Sequence, residues 1–292
     1  MKKSTQLLLS ALVAGLTIIN SAPLKADPDQ ADNDLSGGFF KIGYGYKFEQ
    51  NPYEPEKNGL ALFLSGRYQM ENGLFIEASY GAHKLKEGLN IGYNFYNTPN
   101  WSFDITTVQA FFDTTIVGSD DLEIPGQPGT FERITVRVEE DESEMLGLRA
   151  TGNFGQTSLQ FVFAPFLLGN EYDDGIYSSL WLTQSWQARN WEIYASVGAE
   201  YRSEEIIAHY FEPTIELQSV GFSAYDADGG FDFTAQVGTS YPISENILFE
   251  SYVRYTEIAD SITDSPIIRV TSQIPGRDKS STEVGILFSY VF

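Results

Sequence analysis

Segments of about ten residues alternate apolar and polar side chains along most of this chain, the length and pattern that a tilted spanning strand requires. The connections between them alternate as well. Short turns fall at Glu71–Gly73, Asn97–Asn100, Gly155–Gln156, Ala188–Asn190 and Pro242–Asn246, and every connection between those is as long or longer. Successive strand side chains point to opposite faces, so each segment makes a piece of wall with one apolar and one polar side. A soluble sandwich has no reason to sort its loops by length, whereas a membrane barrel has short turns at one end and longer loops at the other. The pattern predicts an all-β fold, a transmembrane antiparallel β-barrel of about 12 strands with both termini at the periplasmic, short-turn end.

The first and last strands show the pattern most clearly. Within Gly38–Phe48, Phe40, Ile42, Tyr44, Tyr46 and Phe48 share a face opposite Lys41 and Lys47. In the terminal segment, Val284, Ile286, Phe288, Tyr290 and Phe292 form the expected lipid face, against Glu283, Gly285 and Ser289. A strand that ends the chain on an aromatic, with more aromatics two and four residues before it, resembles the terminal strand of bacterial outer-membrane barrels that the insertion machinery reads. The same alternation puts Lys41, Lys47, Arg67, Glu77, Arg149, Glu192, Glu200, Arg202, Glu250, Arg254 and Glu283 on the lumen side. An isolated buried charge is costly, so inside a narrow barrel these groups must pair or stay hydrated. A salt-bridged plug is the expectation, and a small hydrophilic channel is the alternative. The stretches Asp113–Ser143, Ser203–Gly230 and Glu257–Thr282 read as long loops, the first with a hairpin near Thr130–Val138.

The N-terminus reads as an export signal. Lys2 and Lys3 precede an uncharged apolar run, Leu7–Ile19, and small residues lead to a cut after Ala26; the run is shorter than the roughly 20 residues of a spanning helix. Residues 1–26 are thus expected to be a signal peptide, 27–36 a periplasmic tail, and 37–292 the barrel, located in the bacterial outer membrane. The chain has 18 Lys+Arg and 40 Asp+Glu; without Lys2, Lys3 and Lys25 the balance is 15 against 40, or −25. Such a surface makes nucleic acid a poor partner. The 21 Phe, 17 Tyr and 4 Trp fit aromatic girdles at the two edges of a lipid belt, and lipid and lipopolysaccharide are the expected surroundings.

Little here suggests catalysis. The two histidines, His83 and His209, are followed two residues later by Leu85 and Phe211, not by a nucleophile, so no enzyme and no cofactor is expected. The acidic runs Ser119–Asp121, Glu139–Glu142 and Tyr172–Asp174 lack the spacing of a calcium loop and read as solvated surface. Cysteine is absent, which removes disulfides and thiolate metal sites.

Several short elements carry a family resemblance: Tyr210-Phe211, Ala224–Gly230 with Tyr225, Asp226 and Ala227, Ser240–Asn246, Tyr255–Asp260, Asp264-Ser265-Pro266-Ile267, and Gly285–Phe292. In these the chain resembles the MipA/OmpV family of Gram-negative outer-membrane proteins, named for an MltA-interacting member. The N-terminal half matches only in layout. The resemblance implies an outer-membrane barrel and, for at least one member, a scaffold that joins a lytic murein transglycosylase to a murein synthase, a bifunctional penicillin-binding protein. It also keeps a small-solute or osmotic-response channel as the alternative. Asp264-Ser265-Pro266 is expected to order the last loop, since Asp and Pro favour turns.

Overall fold

Alternating side chains become a wall only when every strand finds two neighbours, and the computed structural model shows how this chain supplies them. It describes residues 36–52, 57–80, 88–111, 114–123, 129, 131–140, 143–169, 174–219, 222–272 and 279–292. The expected signal peptide and all but Ser36 of the expected tail lie outside the described residues.

The strands are β1 (Gly37–Gln50), β2 (Lys57–Gln69), β3 (Leu74–Tyr80), β4 (Leu89–Asn97), β5 (Trp101–Phe111), β6 (Thr114–Glu123), β7 (Phe131–Glu140), β8 (Ser143–Phe154), β9 (Thr157–Leu167), β10 (Tyr177–Ala188), β11 (Trp191–Arg202), β12 (Gly230–Pro242), β13 (Ile247–Glu257) and β14 (Ser280–Val291). Among the described residues, twelve of them form a closed antiparallel barrel in which β5 pairs with β8 and β1 closes on β14. The closing ladder runs from Lys41 opposite Val291 to Gln50 opposite Thr282. The start of β1 also meets the end of β2, Gly37 opposite Gln69, so β1 begins and β14 ends at the short-turn end. β6 and β7 make a separate two-stranded sheet. Their pairing spans Thr114–Glu140, a wider hairpin than the one read from Thr130–Val138.

Register aligns the outward apolar residues in rows around the barrel. Tyr44 lies between Leu62 and Phe288, and Phe288 lies opposite Phe249. Leu62, Ile91, Leu148, Leu180, Val237 and Phe288 leave more than half of their surface exposed, which suits a wall with hydrocarbon outside it. Aromatics cluster near both rims. Trp191 contacts Tyr241 at 4.8 Å and Trp101 contacts Phe154 at 5.6 Å near the short turns, and Tyr201 contacts Phe231 at 4.9 Å toward the other end.

The long connections are not loops throughout. Ser203–Gly230 contains α1 (Glu204–Phe211) and α2 (Ile215–Ser219), and Glu257–Thr282 contains α3 (Asp260–Thr263) and α4 (Pro266–Ser272), which corrects the expectation for both stretches. Ile206, Ile207, Tyr210 and Phe211 repeat at helical spacing and are buried, and Glu204 and Glu205 occupy the first turn, where the helix dipole favours acids. α4 starts at Pro266. Ser265 Oγ accepts a hydrogen bond from Ile267 N at 3.2 Å, a serine cap followed by proline at the first helical position.

Glycine matters at two kinds of place. Gly155 adopts φ 65° in the two-residue turn between β8 and β9, a left-handed conformation that side chains resist. Gly198 lies opposite Trp181, and a Cβ there would come within 2.2 Å of the indole ring. Gly238 and Gly285 make room in the same way for Tyr194 and Tyr252, so large inward aromatics lie against bare backbone on the next strand. Gly198→Val should destabilise the detergent-folded barrel by about 1–3 kcal/mol through overpacking, read as a lower urea midpoint than that of the parent protein.

Candidate functional site

The inward residues of β2, β3, β5 and β8 converge on one charge cluster. Arg149 is bidentate to Glu77, at 3.1 and 3.0 Å, and its Nε donates to Asp104 at 2.9 Å. Arg67 donates to both oxygens of Asp104, at 3.0 and 3.1 Å, and to Gln69 at 2.8 Å. Asn94 adds a bond to Asp104 at 2.8 Å, and the Arg67 guanidinium stacks 3.7 Å over Phe75. Asp104 has no exposed surface, yet its carboxylate is met by two guanidiniums and an amide, which is how a buried charge is tolerated.

A second network lines β1, β11, β12, β13 and β14. Lys41 pairs with Glu250, which also accepts from Ser289. Glu283 accepts from Tyr252 and pairs with Lys47 at 3.0 Å and with Arg254 at 3.7 Å. Arg254 Nε donates to Gln236 at 2.8 Å, and Gln236 donates to Tyr194 at 2.7 Å. Glu192 accepts from Ser240 at 3.2 Å. It also borders a cleft of ≈330 Å³ at the short-turn end, with Asn153, Gln156, Ser158, Ser185 and Gln187.

Arg202 is the centre of a third cluster, at the level where the polar lumen meets the helices. It bonds Glu200 at 2.9 Å, Asp232, and the carbonyl of Ala110 at 2.9 Å, and it lies over the Phe111 ring at 4.8 Å. Asp232 in turn accepts from Ala259 N at 2.8 Å. Above this level the interior is apolar. Ile206, Ile207, Tyr210 and Phe211 of α1, Ile262 of α3, and Ile267 and Ile268 of α4 are at most 2 % exposed. They pack on Val108, Ala110, Phe111, Met145, Val162, Ala164 and Tyr177 of the wall. Tyr210 stacks on Phe111 at 4.5 Å. The inward turn of Phe111 coincides with a register shift between Gln109 and Phe111, since a bulge re-aims a side chain that strict alternation would send outward.

The family-motif residues belong to this helical plug. Tyr225 donates to the Ser261 carbonyl at 2.6 Å, and Ala227 N donates to Glu212 at 3.0 Å. Ser265, fully buried, donates to the Phe211 carbonyl at 2.6 Å, which ties the start of α4 to the end of α1. Asp226 is exposed and borders a cleft of ≈730 Å³ with Tyr225, Asp228, Asp260, Asp264 and Arg269. A hydrogen bond from Lys279 at 3.0 Å, with Arg269 nearby, holds the Asp264 carboxyl below its usual range. That contribution is complete above the ordinary carboxylate range and is lost as pH falls through the lowered value.

On the terminal strand, Ile286, Phe288, Tyr290 and Phe292 are exposed and Val284 is half-buried, while Glu283, Gly285, Leu287 and Ser289 are buried on the other side. His209 lies on α1, not in a loop, with its ring edge-on to Tyr210 at 5.0 Å. His83 lies outside the described residues, as do the side chains of Ser119–Asp121 and Glu139–Glu142; Asp174 is exposed. Among the described residues, no three His, Cys, Asp or Glu side chains gather as metal ligands would.

Asp104 and Asp232 are key to two of the clusters, and neither was singled out from sequence. The signal was present: Trp101, Phe103 and Ile105 flank Asp104, and Phe231 and Phe233 flank Asp232, so both aspartates are on the inward register. Arg149→Leu leaves Asp104 and Glu77 short of a cation and should cost about 3–5 kcal/mol. Combining it with Asp104→Asn should recover part of that loss in the same urea titration.

Among solved structures, the chain is similar in outline to several barrels. They include the translocator domain of the autotransporter NalP from Neisseria meningitidis (10% identity, 98% of this chain and 97% of that chain, TM-score 0.40) and OmpT of Vibrio cholerae (9%, 92% and 99%, TM-score 0.37). An anion-selective porin from Comamonas acidovorans is a third (10%, 87% and 98%, TM-score 0.41). No curated protein matches the sequence. The family model described as MltA-interacting protein MipA matches residues 42–292, from the first strand to the last residue, and the chain belongs to the MipA family.

Proposed function

We propose that this barrel sits in the bacterial outer membrane with its short turns and termini in the periplasm, and that it works there without catalysis. Its task on this reading is to hold cell-wall enzymes together, a lytic murein transglycosylase with a bifunctional murein synthase. The observation that carries the reading is the apolar plug: Ile206, Ile207, Tyr210 and Phe211 of α1, Ile262 of α3, and Ile267 and Ile268 of α4 pack into the long-loop end at no more than 2 % exposure. At rest, then, the lumen is not an open path for hydrophilic solutes, and the rim is left to act. The family match adds a direction, since its description names interaction with MltA. The proposed docking elements are the five short turns and the 27–36 segment.

Capture with the tagged full chain from detergent-solubilised envelopes should enrich a lytic transglycosylase and a murein synthase over an unrelated tagged barrel. Equal recovery of both from the two baits would refute the scaffold. Purified folded protein should hydrolyse neither phospholipid nor peptide. His209 is edge-on to an aromatic ring, and a nucleophile, base and orienting group in mutual reach are what such hydrolysis requires. Turnover that tracks with the folded fraction would overturn the non-enzymatic assignment.

A further inference from the structure

We infer that the short-turn rim carries a saccharide site beside Arg189, suited to a glycan that bears carboxylates, and that its ligand is murein itself. This deepens the scaffold reading and rests on its placement of the short turns in the periplasm: the barrel holds the substrate as well as the enzymes.

The site starts from two neighbouring turns. Phe154 lies opposite Thr157 and Ala188 opposite Trp191, so each hairpin closes through two residues, Gly155-Gln156 and Arg189-Asn190. The first residue of each loop bends the backbone alike, with φ 65° at Gly155 and φ 57° at Arg189. Two-residue hairpins fill such positions with Gly, Asn or Asp, because a Cβ resists the left-handed region. Arg189 is the one non-glycine residue with positive φ among the described residues. Gln187 supports it, donating from Nε2 to the Arg189 carbonyl at 3.0 Å. A long cation kept in a strained position implies a use for it.

Its charge sets Arg189 apart as well. Arg67, Arg149, Arg202, Arg254 and Arg269 each meet a carboxylate at 3.7 Å or less. Among the described residues Arg189 meets none, and it is exposed on the rim.

The cleft of ≈330 Å³ lies between these turns, bordered by Gly155 and Gln156 on one side and by Gln187 on the other. Small-molecule sites run from roughly 300 to 1,000 Å³, so this one has room for a sugar ring and its substituent. The lining forms hydrogen bonds and is nearly neutral. Asn153, Gln156, Ser158 and Ser185 line it, and among the described residues their side chains bond to no other protein group. Amides and hydroxyls both donate and accept, as do the hydroxyl and acetamido groups of an amino sugar. Exposed Trp186 adds an indole, an apolar body with a polar tip that suits the C–H face of a sugar ring. Glu192 is the one carboxylate of the lining, and Ser240 donates to one of its oxygens at 3.2 Å. A metal ion would find a single carboxylate here, and an apolar ligand little to cover it. A glycan whose sugars carry acidic peptide stems meets both parts of the site: its rings fit the cleft, and its carboxylates pair with the guanidinium. Murein has that chemistry.

Titration calorimetry of the full chain in detergent with soluble murein fragments tests this. The disaccharide-tetrapeptide should bind about tenfold more tightly than neutral chitobiose, the size of one charge-assisted hydrogen bond. Arg189→Gly should abolish that preference without lowering the urea midpoint, since glycine suits the turn. A residue that only shapes the turn would move the midpoint and not the preference. Gln156→Ala with Ser185→Ala should weaken both ligands about tenfold or more, with heat-modifiable mobility on gels reporting that the barrel is folded. A folded parent that binds neither fragment would overturn the site, and so would binding that survives both sets of substitutions. If the fragments do not bind and Arg189→Gly weakens enzyme capture, the rim contacts protein and the saccharide site is overturned. Placement is checked separately. The chain has no cysteine, so Asn190→Cys supplies a single thiol that an impermeant maleimide should label only after the outer membrane is opened. Labelling in intact cells would overturn the periplasmic placement and murein as the ligand with it, whereas failed fragment binding leaves that placement and the enzyme capture standing.

Discussion

The closing ladder between β1 and β14 is the interaction on which everything else rests. In hydrocarbon an unpaired backbone N–H or C=O costs several kcal/mol, and a sheet with free edges cannot remain there. Ten residue pairs, Lys41 to Gln50 against Thr282 to Val291, remove those edges. Closure then fixes what each side chain can be. Outward positions carry the large exposed apolar side chains and inward positions share a confined space, so one strand must present two kinds of surface at a spacing of two residues.

That confinement explains the chemistry of the lumen. Asp104 and Glu250 have no exposed surface, and each is held by cations and neutral donors projecting from nearby strands. Arg149 reaches across β5 and β4 to Glu77 on β3, bracing the wall where β3 is only seven residues long. Glycines perform the complementary task, since Trp181, Tyr194 and Tyr252 can lie flat only where the neighbouring strand has no side chain. Charges and rings together fill the lower interior without requiring an apolar core there.

The long-loop end solves a different problem. Its strands carry Val108, Ala110, Met145, Val162 and Ala164 inward, and an apolar inner wall exposed to water is unfavourable. Two loops fold back as helices to cover it, with Arg202 at the boundary between the oily cap and the ionic lumen. The elements Tyr225-Asp226-Ala227 and Asp264-Ser265-Pro266 stitch that cap together. Their place in the molecule is structural before it is anything else.

From the sequence alone the barrel was legible: strand period, turn positions, strand number, and inward placement of groups such as Lys41, Arg67, Arg149 and Glu283 all follow from a repeat of two. These are local properties, fixed by which way a side chain points from an extended backbone. The plug was less legible, because Glu204–Phe211 carries its helical spacing for only eight residues between two strong strands. Only the tertiary structure could decide that Asp104 gathers two arginines, that Arg202 finds the carbonyl of Ala110, and that a bulge turns Phe111 inward. Those contacts join residues 37 to 92 positions apart, and no periodicity along the chain encodes a distance across the lumen.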